Sequence, residues 1–391
     1  MLLNASSKLW RKVLSRVSDA KKVCHVSTVH SADDTRVFWR ECVGLAELGY
    51  DVTLLARAEI DGHRAGVSVL ALETYSSRWR RPTVGLWRAT QRAWGVGADL
   101  YHFHDPELLP LLIALRLRGK VVVYDAHELL SAQVQSKPYL PRWARLPARV
   151  LASAIEWIAG RTANAVVTVS EACAVPFPPA KTTVVANYPG RNEIASSPDV
   201  GSPPAIPLSV VYVGGISRIR GILQLVETME IVNRDGELRL ALYGPFEDGA
   251  LQEEAARMPG WAYVDYYGTV PHEKVGEALL GSVAGVITFL PTQNNVIGTP
   301  NKFFEYLAAG LPVVASDFPA WRSMLEGINC CLFVDPNSPE SMARALVELR
   351  DNPTRARAMG AAGRKAVEEN FTWERQIDQL DATYRRLLQS N

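Results

Sequence analysis

Short apolar runs alternate with amphipathic stretches along most of the chain. Runs such as Val121–Tyr124 are apolar at successive positions, which is typical of strands that helices cover on both faces. Strands that alternate with helices form parallel βαβ units. The pattern predicts strands in the first half at Val23–Ser27, Asp51–Leu55, Val67–Leu72, Asp99–Phe103, Lys120–Tyr124, Ala165–Ser170 and Thr182–Ala186.

The same alternation restarts after residues 195–207, which are rich in Pro, Ser and Gly and which we interpret as a linker. Further strands are predicted at Leu208–Val213, Leu238–Tyr243, Ala262–Tyr267, Gly285–Leu290, Pro312–Ser316 and Cys331–Asp335. We therefore expect two doubly wound α/β domains, at 1–194 and 208–370, followed by a C-terminal helix at 371–391 whose docking site the sequence does not assign. Ligands bind such sheets outside the carboxyl ends of their strands.

Composition and charge narrow the class of protein. A chain of 391 residues suits two cores, and a net charge of +1 argues against nucleic acid as a partner. We expect no membrane span, because no apolar run reaches about 18 residues, and no signal peptide, because the basic N-terminus lacks an apolar core. A reducing cytoplasm fits the cysteines, which lack C-x-x-C spacing: Cys24, Cys42, Cys173, Cys330 and Cys331.

The segment from Thr299 carries the clearest local signal. Thr299 is predicted to cap a helix that has Pro300 at its first position. The amides of Asn301 and Lys302 would then point out of the helix end, where an anion is favoured, and Lys302 adds a positive charge. These residues are predicted to hold a diphosphate.

Glu305 lies on the same predicted flank as Asn301 and Lys302. A carboxylate one turn inside this helix is placed to accept hydrogen bonds from two ribose hydroxyls. The alternative interpretation is a capped helix with a solvated Lys–Glu pair.

A family resemblance favours the nucleotide interpretation. Glu305, followed by the helix end Gly310–Ser316 (GLPVVAS), resembles the signature of the retaining glycosyltransferases of family 4. That resemblance implies the GT-B fold, in which two Rossmann-like domains face a central cleft. It covers nearly all of the chain after residue 22 and is most specific at 25–36, 122–128, 211–221 and 298–317.

The resemblance also has a departure. The first acidic residue of the family signature falls at Ile297, so only Glu305, the ribose-binding member, is carried over. Asn294 and Asn295 are the nearest polar candidates on the donor-sugar side. The sequence from Thr299 to Tyr306 (TPNKFFEY) looks like a branch found in surface-polysaccharide synthesis.

A glycine-rich segment, residues 211–221, is predicted to bind the same diphosphate as the helix after Thr299. Gly214 and Gly215 allow close backbone approach, and the resemblance places a basic residue at Arg220. The family often has another arginine where this chain has Gly215, so Arg218 is the second candidate. The alternative is a glycine-rich turn with exposed arginines.

The resemblance further implies that two loops frame the base, one through Gly244 and one through the backbone near Val270. Uridine and guanosine are both compatible with these loops.

In the first half, the loop at residues 25–36 contains no glycine, so the dinucleotide fingerprint of nicotinamide dehydrogenases is absent. Asp33, Asp34 and Arg36 in this loop are predicted to bind acceptor or donor-sugar hydroxyls. Capping of a helix over 35–48 by Asp34 is the alternative.

Polar residues also end the neighbouring strands. The resemblance implies that His127 approaches the donor sugar, with Asp125 and Glu128 as orienting groups and His104 on the same side. A His102-x-His104 metal site lacks an evident third ligand, and no D-x-D motif is present. We therefore expect no metal and no cofactor beyond the nucleotide-sugar substrate.

The implied chemistry assigns catalytic roles to His127, Arg220, Lys302 and Glu305. Arg220 and Lys302 would stabilise the departing diphosphate, and the resemblance implies retention of anomeric configuration.

The acceptor side is predicted from basic amphipathic segments. Residues 1–21 include a helix with an apolar stripe and a basic surround, suited to an anionic membrane surface. Basic and aromatic residues recur at 78–92 and 139–149. Together they favour a glycan or lipid-linked acceptor and a peripheral position on the inner face of the cell membrane, whereas each stripe singly is also compatible with packing on the sheet.

Two other functions stay open from the sequence. One is a sugar-nucleotide epimerase or phosphorylase with the same fold. The other is a nucleotide-sugar-binding protein without catalysis, which Ile297 and Gly215 make credible.

Overall fold

The computed structural model describes residues 20–74, 80–136, 141–191 and 208–389. The predicted linker at 195–207 and nearly all of the predicted N-terminal helix lie outside these residues. The chain divides into two compact units. The first contains the residues up to Ala186 and those from Gln376 onward, and the second is Asn187–Arg375.

Among the described residues of the first unit, eight strands form one sheet in the order β3-β4-β2-β1-β5-β6-β7-β8. The β3 strand runs antiparallel to β4, and the other neighbours are parallel. The strands are β1 (Lys22–Ser31), β2 (Asp51–Arg57), β3 (Gly62–Arg64), β4 (Val67–Leu72), β5 (Leu100–Phe103), β6 (Val121–Ala126), β7 (Ala165–Thr168) and β8 (Thr182–Val184).

The helices of the first unit pack on this sheet through apolar residues such as Leu108 and Leu112, which are fully buried. The first helical run begins at Thr35, because the Asp34 carboxylate accepts hydrogen bonds from the amides of Arg36 and Val37. The longer helical segments are Thr35–Cys42 with Val43–Glu47, Leu86–Val96, Leu109–Leu117, Leu130–Ser136 and Arg142–Thr162; shorter ones are Arg81–Gly85, Pro106–Leu108, Glu171–Ala174 and Pro179–Lys181.

In the second unit, the described residues form a parallel sheet of six strands in the order β11-β10-β9-β12-β13-β14. Its strands are β9 (Ser209–Val213), β10 (Arg239–Tyr243), β11 (Val264–Gly268), β12 (Ser282–Ile287), β13 (Val313–Ser316) and β14 (Cys331–Val334). The helical segments that surround it are Arg218–Arg220, Ile222–Val232, Gly249–Ala256, Pro259–Tyr263, His272–Leu280, Gln293–Ile297, Lys302–Ala308, Pro319–Met324, Pro339–Asp351 and Pro353–Asn370.

The last helix, Trp373–Gln389, brings the chain back to the first unit from Gln376 onward. Leu380 and Tyr384 on this helix are fully buried. The docking site that the sequence left unassigned is therefore the first unit.

Every strand predicted from the apolar pattern has a counterpart in the structure. The β3 strand was not predicted, because its three residues, Gly-His-Arg, include no apolar side chain. No helix in the described part of the chain has the length and apolar character needed to cross a bilayer.

Candidate nucleotide site and buried histidine cluster

The strand order of the second sheet reverses between β9 and β12, because the chain adds β10 and β11 on one side and β13 and β14 on the other. Loops at such a reversal diverge and leave a crevice at the carboxyl ends of the strands. The loop after β9 contains Gly214, Gly215 and Arg220, and the loop after β12 contains Phe289. The predicted phosphate-binding residues thus flank the reversal.

Lys302 points toward this crevice. Its ammonium lies 5.6 Å from the centroid of the Tyr212 ring and 5.9 Å from that of Phe289. Burial, and to a lesser degree the Arg220 guanidinium, together lower the pKa of Lys302 to about 8, although Glu305 opposes both effects. A positive charge is held here at a cost that a bound anion would remove.

Arg220 is fixed beside Lys302. Its Nη1 donates to the carbonyl of Gly215 at 2.6 Å, and the Tyr212 hydroxyl donates to the same carbonyl at 2.8 Å. The guanidinium carbon lies 5.7 Å from the centroid of the Phe289 ring. Two cations therefore converge on one aromatic ring.

Glycines make this convergence possible. Gly214 has φ of 121°, and a Cβ there would lie 2.5 Å from the Lys302 Nζ. Gly244, in the loop after β10, has φ of 125°, and a Cβ there would lie 2.2 Å from the carbonyl oxygen of Gly214. Neither position accepts a side chain in this backbone conformation.

Gly215 and Arg218 differ from the roles considered from the sequence. A Cβ at Gly215 would lie 2.9 Å from Nη1 of Arg220, so the glycine leaves the space that the Arg220 side chain occupies. The Arg218 guanidinium pairs with both carboxylate oxygens of Glu254 on the surface. Arg220, rather than Arg218, is the arginine beside Lys302.

The helix after Gly298 begins later than predicted. It spans Lys302–Ala308, and its capping residue is Asn301, with helical dihedral angles and no side-chain cap hydrogen bond. The predicted cap at Thr299 with Pro300 at the first helical position is wrong. The amide of Phe303 bonds the Pro300 carbonyl at 3.1 Å, so a tight turn precedes the helix. Glu305 is exposed on the first turn.

Asn295 ties the two loops of the crevice together. Its Nδ2 donates to the carbonyls of Ile219 and Leu290, both at 2.9 Å. Ile219 sits in the turn that carries Arg220, so this amide positions the arginine. Asn294 uses its carbonyl to accept the amide of Gly298 at 2.8 Å.

The two loops predicted to frame the base are bonded to each other. The amide of Gly244 donates to the carbonyl of Gly268 at 2.7 Å, and the Tyr243 ring stacks on Tyr267 at 4.6 Å between centroids. Val270 lies just beyond and is half-buried.

In the first unit, three predicted site residues, His104, His127 and Asp125, lie in a buried cluster. We call this the histidine cluster, and its other members are His25, His102, Glu41 and Tyr384. His104 links two other histidines: its Nε2 lies 2.9 Å from Nδ1 of His25, and its Nδ1 lies 3.1 Å from Nε2 of His127. Oδ2 of Asp125 lies 3.3 Å from Nδ1 of His104. Burial lowers the pKa of His127 to about 3, although Asp125 opposes this shift.

The other residues predicted to bind sugar hydroxyls are engaged within the first unit. Asp34 caps the first helix and lies 3.0 Å from Nδ1 of His30. Arg36 is buried, with its Nε 3.0 Å from Oε1 of Glu41 and its Nη1 donating to the Val185 carbonyl at 2.9 Å. The structure thus shows the capping alternative for Asp34 and internal pairing for Arg36, and sugar-hydroxyl binding by either residue stays a prediction.

Asp33 and Glu128 are the exposed members of the predicted set. Asp33 pairs with Arg64, and Glu128 accepts a hydrogen bond from Nε2 of Gln133 at 2.6 Å. Neither side chain is part of the histidine cluster.

Two family models match the chain. The one described as Glycosyltransferase Family 4 matches residues 34–187, and the one described as Glycosyl transferases group 1 matches residues 207–352. Together they span well over half of the sequence. The chain belongs to the family 4 glycosyltransferases.

Curated relatives match shorter stretches. The alpha-maltose-1-phosphate synthase of Mycolicibacterium smegmatis is 28% identical over 191 residues, 46% of this chain and 48% of the relative. A GDP-mannose-dependent alpha-(1-6)-phosphatidylinositol monomannoside mannosyltransferase of Mycobacterium tuberculosis is 36% identical over 80 residues, 20% of this chain and 21% of the relative. The chain thus spans about half, or less, of the length of these relatives.

Solved structures show that this family 4 chain has the GT-B fold. The sucrose-phosphate synthase of Thermosynechococcus elongatus superposes with a TM-score of 0.73 at 19% identity, over 95% of this chain and 100% of that one. HepE of Anabaena, solved in complex with UDP, superposes with a TM-score of 0.68 at 14% identity, over 93% and 100%.

Sequence reasoning missed three members of the histidine cluster in this family 4 protein: His25, Glu41 and Tyr384. Glu41 and Tyr384 lie on helices that cover the sheet, and both are fully buried. For Glu41 and Tyr384, the available signal was a polar residue on the apolar face of a helix. That signal does not indicate which strand the residue contacts.

Proposed function

We propose that the protein is a retaining glycosyltransferase that moves a hexose-type sugar from a UDP- or GDP-sugar to a glycan or lipid-linked acceptor. The product would enter cell-surface polysaccharide synthesis. The protein would act in the cytoplasm, as a peripheral protein on the inner face of the cell membrane.

One observation carries this proposal: Lys302 and Arg220 converge on Phe289 beside two glycines that admit no side chain. Two cations this close repel each other unless an anion lies between them. A diphosphate supplies two negative groups, and the Cβ-free backbone of Gly214 and Gly244 lets it approach closely.

The same arrangement supports catalysis of sugar transfer. Negative charge builds on the diphosphate as the bond to the sugar breaks, and Lys302 and Arg220 would stabilise that charge by several kcal/mol. Glu305, exposed on the first helical turn, would accept hydrogen bonds from the ribose. The two fixed cations take the place of a divalent ion on the leaving group, so we propose that transfer is metal-independent.

The relatives support a nucleotide donor. The mycobacterial mannosyltransferase is named as GDP-mannose-dependent, and HepE was solved in complex with UDP. We extend the donor class, and not a particular base, to this chain. The resemblance to retaining family 4 enzymes supports our proposal that the anomeric configuration is retained.

An exposed stripe on helix Arg142–Thr162 supports a lipid-linked acceptor. Five large apolar residues on this helix are at least half exposed: Trp143, Leu146, Val150, Leu151 and Trp157. Arg149 is exposed on the same helix, and the Arg161 guanidinium stacks 4.7 Å from the Trp157 ring. Apolar residues with flanking arginines suit the surface of an anionic membrane.

The direct test is a turnover assay with UDP- and GDP-sugars and membrane extracts as acceptors, with the product's anomeric configuration read by NMR. We expect a sugar product with the donor's configuration and free nucleoside diphosphate. An epimerised sugar nucleotide, a phosphorolysis product, or binding without turnover would contradict the proposal.

Metal independence has its own readout. We expect the transfer rate to be the same with and without added Mg²⁺ or Mn²⁺. A rate that rises in proportion to bound Mg²⁺ or Mn²⁺ would show that the two cations do not suffice for the leaving group.

A further inference from the structure

The histidine cluster contains a set of potential metal ligands. His25 on β1 is paired in register with His102 on β5, His104 follows β5, and Glu41 lies on helix Thr35–Cys42. The exposure of these four residues is between 0% and 3%. One ligand atom from each lies within 4.8 Å of the others.

The distances between three of these ligand atoms can be compared with the spacing expected in a tetrahedral metal site. Nδ1 of His25 lies 2.9 Å from Nε2 of His104 and 3.7 Å from Oε2 of Glu41, and Nε2 of His104 lies 3.9 Å from the same oxygen. Zinc bonds of about 2.0–2.1 Å place tetrahedral ligand atoms roughly 3.3–3.4 Å apart. The pairs that involve His102 lie within 4.8 Å, so the four side chains would draw together around an ion.

Two of these atoms have no hydrogen-bond partner in the described structure. They are Oε2 of Glu41 and Nε2 of His102, and both are buried. A buried carboxylate oxygen without a donor is costly, and native structures rarely leave one. A cation between the four residues would satisfy both atoms.

The opposite side of each ligand is supported. The Tyr384 hydroxyl lies 2.6 Å from Nδ1 of His102 and 3.2 Å from Nε2 of His25. The remaining nitrogen of His104 faces Asp125 at 3.3 Å. Metal-bound histidines are usually oriented in this way, through hydrogen bonds to the ring nitrogen that faces away from the ion.

We propose that His25, His102, His104 and Glu41 bind one divalent transition-metal ion, through Nδ1 of His25, Nε2 of the other two histidines and Oε2 of Glu41. Three imidazoles and one carboxylate suit zinc and its neighbours in the first transition row. This site departs from the expectation of no metal.

The ion's role would be structural. Four protein ligands complete a tetrahedral shell, and a buried ion has no open position for substrate. The ligands come from β1, β5 and helix Thr35–Cys42, and Tyr384 adds the C-terminal helix. The ion would join these elements within the first unit and is independent of the diphosphate site in the second.

The test is the metal content of the full chain, purified without a polyhistidine tag or chelating resin and measured by plasma mass spectrometry. We expect about one ion per chain in the wild type, and roughly a tenfold loss or more in His102→Ala and Glu41→Gln. His63→Ala, which alters an exposed histidine outside the cluster, is the matched control and keeps the ion.

Cobalt substitution of the wild type keeps the test independent of variant folding. Reconstituted Co²⁺ protein is expected to show the strong visible absorption of a tetrahedral site. A wild type that stays metal-free after reconstitution with Zn²⁺, Co²⁺, Ni²⁺, Fe²⁺ and Mn²⁺ in turn would overturn the proposal. The short contact between His25 and His104 would then be a direct hydrogen bond.

Discussion

Among single residues, Lys302 is the one on which the proposed nucleotide site depends most, and its positive charge is destabilised in the unliganded protein. Burial and the neighbouring Arg220 lower the pKa of Lys302 to about 8, against an ordinary value of 10.5. Only the protonated amine attracts a diphosphate. If Lys302 binds the diphosphate as proposed, its pKa would make nucleotide affinity depend on pH between about pH 7 and pH 9.

We expect the affinity for a UDP- or GDP-sugar to weaken about tenfold between pH 7 and pH 9, because the protonated fraction of Lys302 falls by that factor. Binding at pH 8 should take up protons, which calorimetry in buffers of different ionisation enthalpy measures. Lys302→Arg, which stays charged, should remove the pH dependence. A wild-type affinity that is constant across this range would show that Lys302 does not contribute its charge.

Gly244 is the residue whose substitution should most directly disturb the loops. Its φ of 125° is a region that L residues rarely adopt, and an alanine Cβ would lie 2.2 Å from the Gly214 carbonyl. We expect Gly244→Ala to destabilise the second unit by at least about 2 kcal/mol and to weaken nucleotide binding.

Gly276→Ala is the matched control, because that glycine lies within helix His272–Leu280 with open space around it. This change should stabilise the helix by about 0.5–1 kcal/mol. Equal effects of the two substitutions in thermal and denaturant unfolding would contradict the role of Gly244.

At the scale of elements, the turn Arg218–Arg220 is held by a side chain from another helix. The Asn295 amide bonds the carbonyls of Ile219 and Leu290 and so fixes the loop after β9 to the loop after β12. The sequence suggested Asn295 as a sugar contact. Its amide nitrogen instead bridges two backbone segments.

Asn295→Ala should weaken nucleotide binding by about 1–3 kcal/mol, since it leaves two carbonyls without this donor and frees the turn that carries Arg220. Gln293→Ala, an exposed position on the same helix, should leave binding unchanged. Calorimetric titration of both variants with UDP- and GDP-sugars measures these affinities. Wild-type affinity in Asn295→Ala would mean that the turn keeps its geometry without the bridge.

At the scale of the whole molecule, the C-terminal helix belongs to the first unit although the second unit precedes it in sequence. Leu380 is fully buried, and Tyr384 contacts the histidine cluster. A substitution that destabilises this helix should therefore lower the stability of the first unit.

Leu380→Ala should cost about 2–5 kcal/mol through the cavity it leaves. In hydrogen–deuterium exchange, protection should fall in β1 and β5 and stay unchanged in β9 and β12. Gln379→Ala, its exposed neighbour, should alter neither set. If protection were lost in β9 and β12 instead, the helix would belong to the second unit, and its assignment to the first unit would be wrong.

Features that depend on neighbouring residues could be predicted from the sequence, whereas features that depend on contacts between separate elements could not. Apolar runs predict the strands because each run reflects burial of its own segment, and β3 escapes because it has no apolar residue. Lys302 and Arg220 were predicted as partners from separate motifs. The contacts of Glu41 and Tyr384 with the histidines were not predicted, because they join helices to strands and depend on how these elements pack.

Helix boundaries at the site were less predictable. Thr299 and Pro300 have the residue types of a helix start, yet the chain first makes a tight turn, and the Trp321 indole holds the Gly298 carbonyl at 2.7 Å. A tertiary contact of this kind overrides the local capping preference, and local sequence carries no sign of it.

We propose that Lys302, Arg220 and Glu305 bind the nucleotide of the donor, and calorimetric titration with UDP- and GDP-sugars measures this binding. Lys302→Ala and Glu305→Ala should each weaken binding by more than about tenfold, because each removes a charged hydrogen-bonding group. Lys274→Ala, exposed in the same unit, should bind as the wild type does. Unchanged affinity in folded Lys302→Ala and Glu305→Ala would show that these residues do not bind the donor nucleotide.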